Sequence, residues 1–167
     1  RLGERVRFIH DSVGTDAIVE RYIEGRELYV GVIGNHRLLA LPVWELNLSG
    51  LPNGSPRIAT ERLKSASAYR ERHGVTSGEA RELPPEMVGR IQDICRRVYR
   101  ILELSGYARI DLRLDAQGTV FVLEANPNPE LAHGEDFAES AKEAGIDYGP
   151  LLQRILNLGL SWRPGHI

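Results

Sequence analysis

The stretch YARIDLRLDAQGTVFVLEAN, residues 107–126, predicts a β-hairpin, and the fold expected for the chain follows from it. Residues 107–114 and 119–126 are rich in residues that favour strands, and the DAQG between them is typical of a turn. Because side chains alternate between the two faces of a strand, one face of this hairpin should be apolar and the other polar. In the first strand the apolar set is Ala108, Ile110, Leu112 and Leu114, and the other set is Tyr107, Arg109, Asp111 and Arg113.

The polar face of this hairpin carries oxygen donors near the end of its second strand. A four-residue turn would pair Leu114 with Thr119, which sets Arg109 opposite Glu124 and places Asp111 diagonal to Glu124. The next side chain on the same face of the second strand is an amide, and the two prolines that follow end the strand.

These donors predict a divalent metal site formed by Asp111, Glu124 and Asn126. Carboxylate and amide oxygens without histidine or cysteine suit Mg²⁺, or Mn²⁺, better than zinc. The alternative is that the carboxylates form ordinary cross-strand ion pairs, Asp111 with Arg109 or Arg113 and Glu124 with Arg109.

The rest of the chain predicts helices and further strands around the hairpin. Apolar spacing predicts helices over 2–14, 85–106, 135–145 and 147–159, and β-rich sequence predicts a short run over 15–23 and two strands within 26–46, joined at 34–37 and with an edge or bulge at Pro42. Residues 47–85 are rich in Gly, Pro, Ser and charge, which predicts a long mobile loop with a helical turn near 61–71, and residues 161–167 predict a loose tail.

Composition limits the functional classes. The chain has 167 residues, of which 42% are hydrophobic and 26% charged, and its net charge of −2 gives no reason to expect a nucleic acid or a membrane surface as partner. The single cysteine excludes a disulfide framework within the chain, and the cytoplasm is the expected location. Because the chain opens on Arg1 and not on methionine, we expect a piece of a longer protein.

Two segments, in this order, resemble one family. RIDLRLDAQGTVFVLEANPNP resembles the C-terminal signature of ATP-grasp ligases, in particular D-alanine–D-alanine ligases, and IVERYIEGRELYVGVIGN, residues 18–35, resembles the nucleotide-hinge segment of the same family. The resemblance implies an α+β fold with a largely antiparallel sheet flanked by helices, the C-terminal lobe of an ATP-grasp domain. Residues 1–160 would form this lobe, and the upstream domain and central lobe of such ligases would lie outside the chain.

The resemblance also implies roles for individual residues. Asp111, Glu124 and Asn126 would hold two Mg²⁺ ions that bridge the phosphates of ATP, and Arg109 would stabilise negative charge on the reacting acyl oxygens. Lys64 would bind phosphate from a flexible segment. The remaining residues would contact the nucleoside: Glu20, Arg21 and Ile23 at the adenine edge, Glu27 at the ribose hydroxyls and Leu123 on the purine.

The implied function is an ATP- and Mg²⁺-dependent carboxylate–amine ligase that works through an acyl phosphate and takes a small-molecule carboxylate and amine. The alternatives are a non-enzymatic nucleotide- or partner-binding module that retains the fold, and a scaffold whose acidic strand ends form only ion pairs. D-alanine ligases continue with T-x-P-G-M-T-x-x-S, whereas this chain continues with PNPELAHGEDFAES, so another amino acid or a small peptide is expected as substrate. The parent protein would be a homodimer, and the fragment alone an inactive monomer.

Overall fold

A computed structural model describes residues 1–52, 54–55, 57–58 and 71–163. They form one six-stranded sheet in which β1 is central; the order is β4-β3-β1-β5-β6, β2 also pairs with β1, and all pairings are antiparallel. The strands are β1 (Arg26–Ile33), β2 (Leu39–Ala40), β3 (Trp44–Asn47), β4 (Thr76–Glu79), β5 (Tyr107–Leu114) and β6 (Val120–Asn126). The largely antiparallel sheet flanked by helices confirms the predicted fold class.

In the described ranges, four complete α-helices and one π-helical turn accompany the sheet. They are α1 (Leu2–Phe8), the π-helix Ile9–Val13, α2 (Pro85–Ile101), α3 (Asp136–Glu143) and α4 (Tyr148–Ser161). The first helix and its π-helical turn end at Gly14, whose φ of 72° lies in the left-handed region that favours glycine. Within the described ranges, no helix is both long and apolar enough to cross a bilayer.

The alternation predicted for β5 decides where the main core lies. Leu28 and Val30 of β1 and Ile110 and Leu112 of β5 are fully buried on one face of the sheet, together with Cys95 of α2. A second core joins the far ends of β1 and β2 to α3 and α4; its buried members are Ile33, Leu41, Phe137, Ala138, Ala141 and Leu151. The other face of β1 and β5 carries Ile33 at the end that joins the second core and mostly polar residues over the rest of its length.

Several predicted boundaries were wrong. Helix α2 ends at Ile101 rather than Gly106, because Glu103 adopts a left-handed backbone with a φ of 54°. Residues 15–23 form no strand, and the predicted loop 47–85 contains β4, which pairs with β3. The helical turn near 61–71 falls almost entirely outside the described residues, although residues 71–72 are helical.

Of the two features predicted at Pro42, an edge or a bulge, the structure has a bulge. Tyr29 pairs with Trp44 in β3, whereas Val32 pairs with Ala40 in β2. Between these two pairs the partner strand therefore has one residue more than β1, and the extra residue lies in the break that contains Pro42. Proline cannot donate to a strand ladder, which explains why the second strand of this hairpin splits there into two.

The predicted register of the β5–β6 hairpin was also wrong. Leu114 pairs with Val120 instead of Thr119, because the Asp115 carboxylate accepts the backbone N–H of Thr119 at 2.7 Å. That shift alone would turn Glu124 to the buried face. A β-bulge at Leu123 adds a second one-residue shift, and beyond it Asp111 stands directly opposite Glu124.

The contact of Tyr99 with the β1–β2 turn gives a test of the fold. Its hydroxyl donates to the carbonyl of Gly34 at 2.8 Å inside the main core. We expect Tyr99→Phe to lower the free energy of unfolding by about 1 kcal/mol, since a buried carbonyl loses its donor. Urea denaturation measures this. Tyr148→Phe is the control, because the Tyr148 contact with His133 is made by the ring; an equal loss there would contradict the assignment.

Candidate functional site

A cleft of about 680 Å³ opens on the polar face of β1 and β5. The segment before β1 forms one wall and β6 forms another. The lining residues are Glu20, Arg21, Tyr22, Ile23, Glu27, Tyr29, Ile58, Arg109, Asp111, Arg113, Phe121, Val122, Leu123 and Glu124. The cleft therefore contains eight of the ten predicted site residues; Asn126 lies two residues beyond Glu124 on β6, and Lys64 lies outside the described residues.

Two carboxylates meet at one end of the cleft. Asp111 of β5 and Glu124 of β6 are ladder partners, and the next cleft-side pair is Arg109 with Asn126. Burial raises the pKa of the Asp111 carboxyl above its ordinary value; Arg109 lowers it in part, and the nearby Glu124 carboxylate raises it again. The correct register thus brings the two acids closer than the predicted diagonal did, with the amide on the same side.

One of the two carboxylates already has a cationic partner. Arg109 forms a bidentate pair with Asp111, with Nε to Oδ1 at 2.7 Å and Nη2 to Oδ2 at 2.8 Å. The guanidinium carbon of Arg109 also lies 4.7 Å from the centroid of the Tyr29 ring. The alternative prediction of an ion pair is therefore correct for Asp111 with Arg109. Within the described part of the chain, Glu124 forms no ion pair.

The donor set fits a hard cation. Among the residues described, no three Asp, Glu, His or Cys side chains cluster as a metal site, so the protein ligands here would be two carboxylates and the amide of Asn126. The Asn126 Oδ1 accepts the backbone N–H of Asn128 at 2.9 Å and keeps a second lone pair. Mg²⁺ prefers a site in which a few protein oxygens bind it and oxygens of water and phosphate complete its coordination.

A buried ion pair forms the floor at the other end of the cleft. Arg113 Nη2 lies 2.6 Å from Glu27 Oε2, and their side chains are 2% and 7% exposed. The Tyr29 hydroxyl donates to the other oxygen of Glu27 at 3.0 Å. Arg113 and Tyr29 were not predicted as site residues, although the two-residue spacing of Arg109, Asp111 and Arg113 already set Arg113 on the cleft face.

The rim of the cleft between these ends is apolar. Val122 and Leu123 are 42% and 48% exposed, and both line the cleft because the bulge interrupts the alternation of β6. Phe121 also lines the cleft, opposite Arg113, and the guanidinium carbon of Arg21 lies 5.8 Å from the centroid of its ring. Exposed apolar side chains above charged groups suit a planar, partly polar ligand.

The fold is that of the C-terminal lobe of an ATP-grasp domain. A D-alanine–D-alanine ligase from Bacillus anthracis complexed with ATP superposes with a TM-score of 0.71 at 23% identity, covering 96% of this chain and 47% of that one. The family described as D-ala D-ala ligase C-terminus matches residues 8–157, and the chain belongs to this family.

Relatives of this family agree with the match. A D-alanine–D-alanine ligase of Syntrophobacter fumaroxidans is 30% identical over 148 residues, which are 86% of this chain and 43% of that protein. An uncharacterized protein of Sinorhizobium fredii, y4sG, is 31% identical over 158 residues, or 95% of this chain and 45% of that protein. The chain thus spans less than half of the length of these relatives.

Proposed function

We propose that this chain supplies the MgATP-binding lobe of a carboxylate–amine ligase that forms an amide or peptide bond. The observation that carries the proposal is the pairing of Asp111 with Glu124 across the β5–β6 ladder, beside Arg109, at one end of a cleft with an apolar rim. Family membership supports the ligase class. The ligase relatives are about 30% identical to the chain, so the substrates are part of the proposal.

The chemistry of such a ligase explains why the site needs positive charge. A carboxylate is a poor acyl donor because its leaving group would be oxide, whereas an acyl phosphate made with ATP is readily attacked by an amine. Bound Mg²⁺ would neutralise phosphate oxygens during this phosphoryl transfer, which depends chiefly on placement and charge. Asp111, Glu124 and Asn126 would hold the metal, and Lys64 would bind phosphate.

The remaining residues would orient the reactants. The guanidinium of Arg109 has five N–H donors, of which the Asp111 carboxylate takes two, so others remain for an acyl or phosphate oxygen. Leu123 and Ile23 would pack on the base, with Glu20 and Arg21 at its edge. Glu27 would accept from the ribose hydroxyls. The small-molecule substrates would be an amino acid or small peptide and an amine.

One observation favours the second candidate, a nucleotide-binding module without turnover. Both oxygens of Asp111 accept from Arg109, so the carboxylate must be shared before it can hold a cation. A module in which this pair persists would bind MgATP by the rim and the ribose end of the cleft alone.

A trapping assay with hydroxylamine tests the proposed reaction. Hydroxylamine attacks an acyl phosphate to give a hydroxamate, so we expect ADP and hydroxamate in equal amounts when the ligase to which this lobe belongs is given MgATP and an amino acid from a panel of L- and D-forms. MgATP should also raise the melting temperature by preferential binding to the folded state. Binding without ADP release across the panel would favour the second candidate, and no thermal shift with MgATP would reject the nucleotide site.

A further inference from the structure

The buried pair of Glu27 and Arg113 contains one residue to which the proposed function assigns no role. Arg113 holds one oxygen of the Glu27 carboxylate at 2.6 Å, and the Tyr29 hydroxyl holds the other at 3.0 Å. Each carboxylate oxygen has two lone pairs, so two donors leave Glu27 with further acceptor capacity. Burying a carboxylate that is only 7% exposed would cost much more free energy without such partners.

Arg113 also ties two walls of the cleft to β5. Its Nη1 donates to the carbonyl of Gly25 at 2.9 Å, and its Nη2 donates to the carbonyl of Arg57. Its guanidinium carbon lies 5.6 Å from the centroid of the Tyr22 ring. The cleft is lined by Tyr22, which lies shortly before Gly25 in the chain, and by Ile58, which directly follows Arg57. One side chain of 2% exposure therefore joins the segment before β1, the loop after β3 and the sheet.

We propose that Arg113 is a positioning residue of the nucleotide site, one that fixes the Glu27 carboxylate for the ribose hydroxyls and holds the walls around the base. This inference rests on the proposed function, which brings a nucleotide to the cleft. Preorganised groups lose less freedom on binding, so a fixed carboxylate binds hydroxyls more tightly than a mobile one. The planar fork of arginine allows three acceptors to be held at once, which the compact ammonium of lysine cannot reproduce.

Calorimetric titration with two nucleotides tests the inference. The probes are MgATP and Mg-2′,3′-dideoxy-ATP, which lacks both ribose hydroxyls. We expect the wild-type chain to prefer MgATP by about tenfold or more, since hydroxyls bonded to a charged acceptor contribute strongly. Arg113→Met should weaken MgATP binding to the level of the dideoxy nucleotide and remove the preference. Arg113→Lys should restore the preference only in part.

Two further variants separate positioning from folding. Arg26→Met is the matched control, because Arg26 forms a comparable bidentate pair with Glu45, at 2.8 and 2.6 Å, but does not line the cleft; it should keep the preference. If Arg113→Met unfolds because Glu27 is left as an unpaired buried charge, Arg113→Gln takes its place, since the amide N–H can still donate to one acceptor. Arg113→Gln keeps the Glu27 carboxylate but cannot hold three acceptors at once, so it should remain folded and still lose the preference.

The outcomes distinguish this inference from the proposed function. A folded Arg113→Met or Arg113→Gln variant that keeps the preference overturns the inference and leaves the proposed nucleotide site intact. Equal weakening of both nucleotides with the preference retained would assign Arg113 a purely structural role and also overturn it. A wild-type chain that binds neither nucleotide would reject the proposed function and the inference together.

Discussion

In the ligase to which this lobe belongs, Glu124→Gln should reduce MgATP-dependent hydroxamate formation by about 10²- to 10³-fold. The substitution keeps the size of the side chain and one acceptor oxygen, but it removes the negative charge that lies opposite Asp111 in the ladder. Losing one preorganised electrostatic contact typically raises a reaction barrier by about 3–4 kcal/mol. The amount of ADP released per minute at saturating MgATP measures the effect.

The free protein should respond to Glu124→Gln in the opposite sense. Without a cation, the Glu124 carboxylate raises the pKa of Asp111 through repulsion, so the amide should leave the free energy of unfolding unchanged or slightly higher. Glu86→Gln, in the first turn of α2, is the control and should keep full activity. Undiminished ADP release in Glu124→Gln would contradict the metal site. A large loss of stability would show that the carboxylate serves the fold.

Gly25→Ala should lower the free energy of unfolding by about 2–4 kcal/mol. Gly25 has a φ of 152°, and a Cβ built on it would lie 2.2 Å from the carbonyl oxygen of Leu114, so the backbones of two adjacent segments would have to separate. The same movement would displace the Gly25 carbonyl from Arg113. Urea denaturation followed by circular dichroism measures the loss.

A second glycine provides the control for this substitution. Gly89 lies within α2 and has nothing within 4 Å of an added Cβ, so Gly89→Ala should raise the free energy of unfolding by about 0.5–1 kcal/mol. If both alanine variants changed stability in the same direction, the close approach at Gly25 would not be the cause.

Alternation along β5 was the most reliable sequence signal. Leu112 and Ile110 are fully buried, while Asp111 and Arg113 line the cleft, as a two-residue period predicts for a strand with one buried face. The other predicted cleft residues followed from the resemblance of two segments to the ATP-grasp ligases, and most of those residues meet in the structure. The polar face of the hairpin could therefore be predicted from the alternation of residues, and the fold class from the family resemblance.

Register could not be predicted in the same way, because it depends on local hydrogen bonds that composition does not reveal. The Asp115 side chain takes the N–H of Thr119, which lengthens the turn, and the bulge at Leu123 then compensates. Strand β4 was missed because its sequence, TSGE, has no apolar alternation, and it forms by pairing along β3 at the edge of the sheet. The Glu27–Arg113 pair joins residues 86 positions apart, a separation that no local pattern encodes.

The extra residue at Leu123 would allow the apolar rim of the cleft to vary among homologues without a change at the acidic end. In a homologue that lacked this residue, the Asp111–Glu124 pair would directly follow the Leu112–Val122 pair along the ladder, so the two acids would still face each other. Only the apolar rim of the cleft would become smaller. The contacts to the proposed base and the binding of the proposed cation could therefore change independently through a single insertion or deletion.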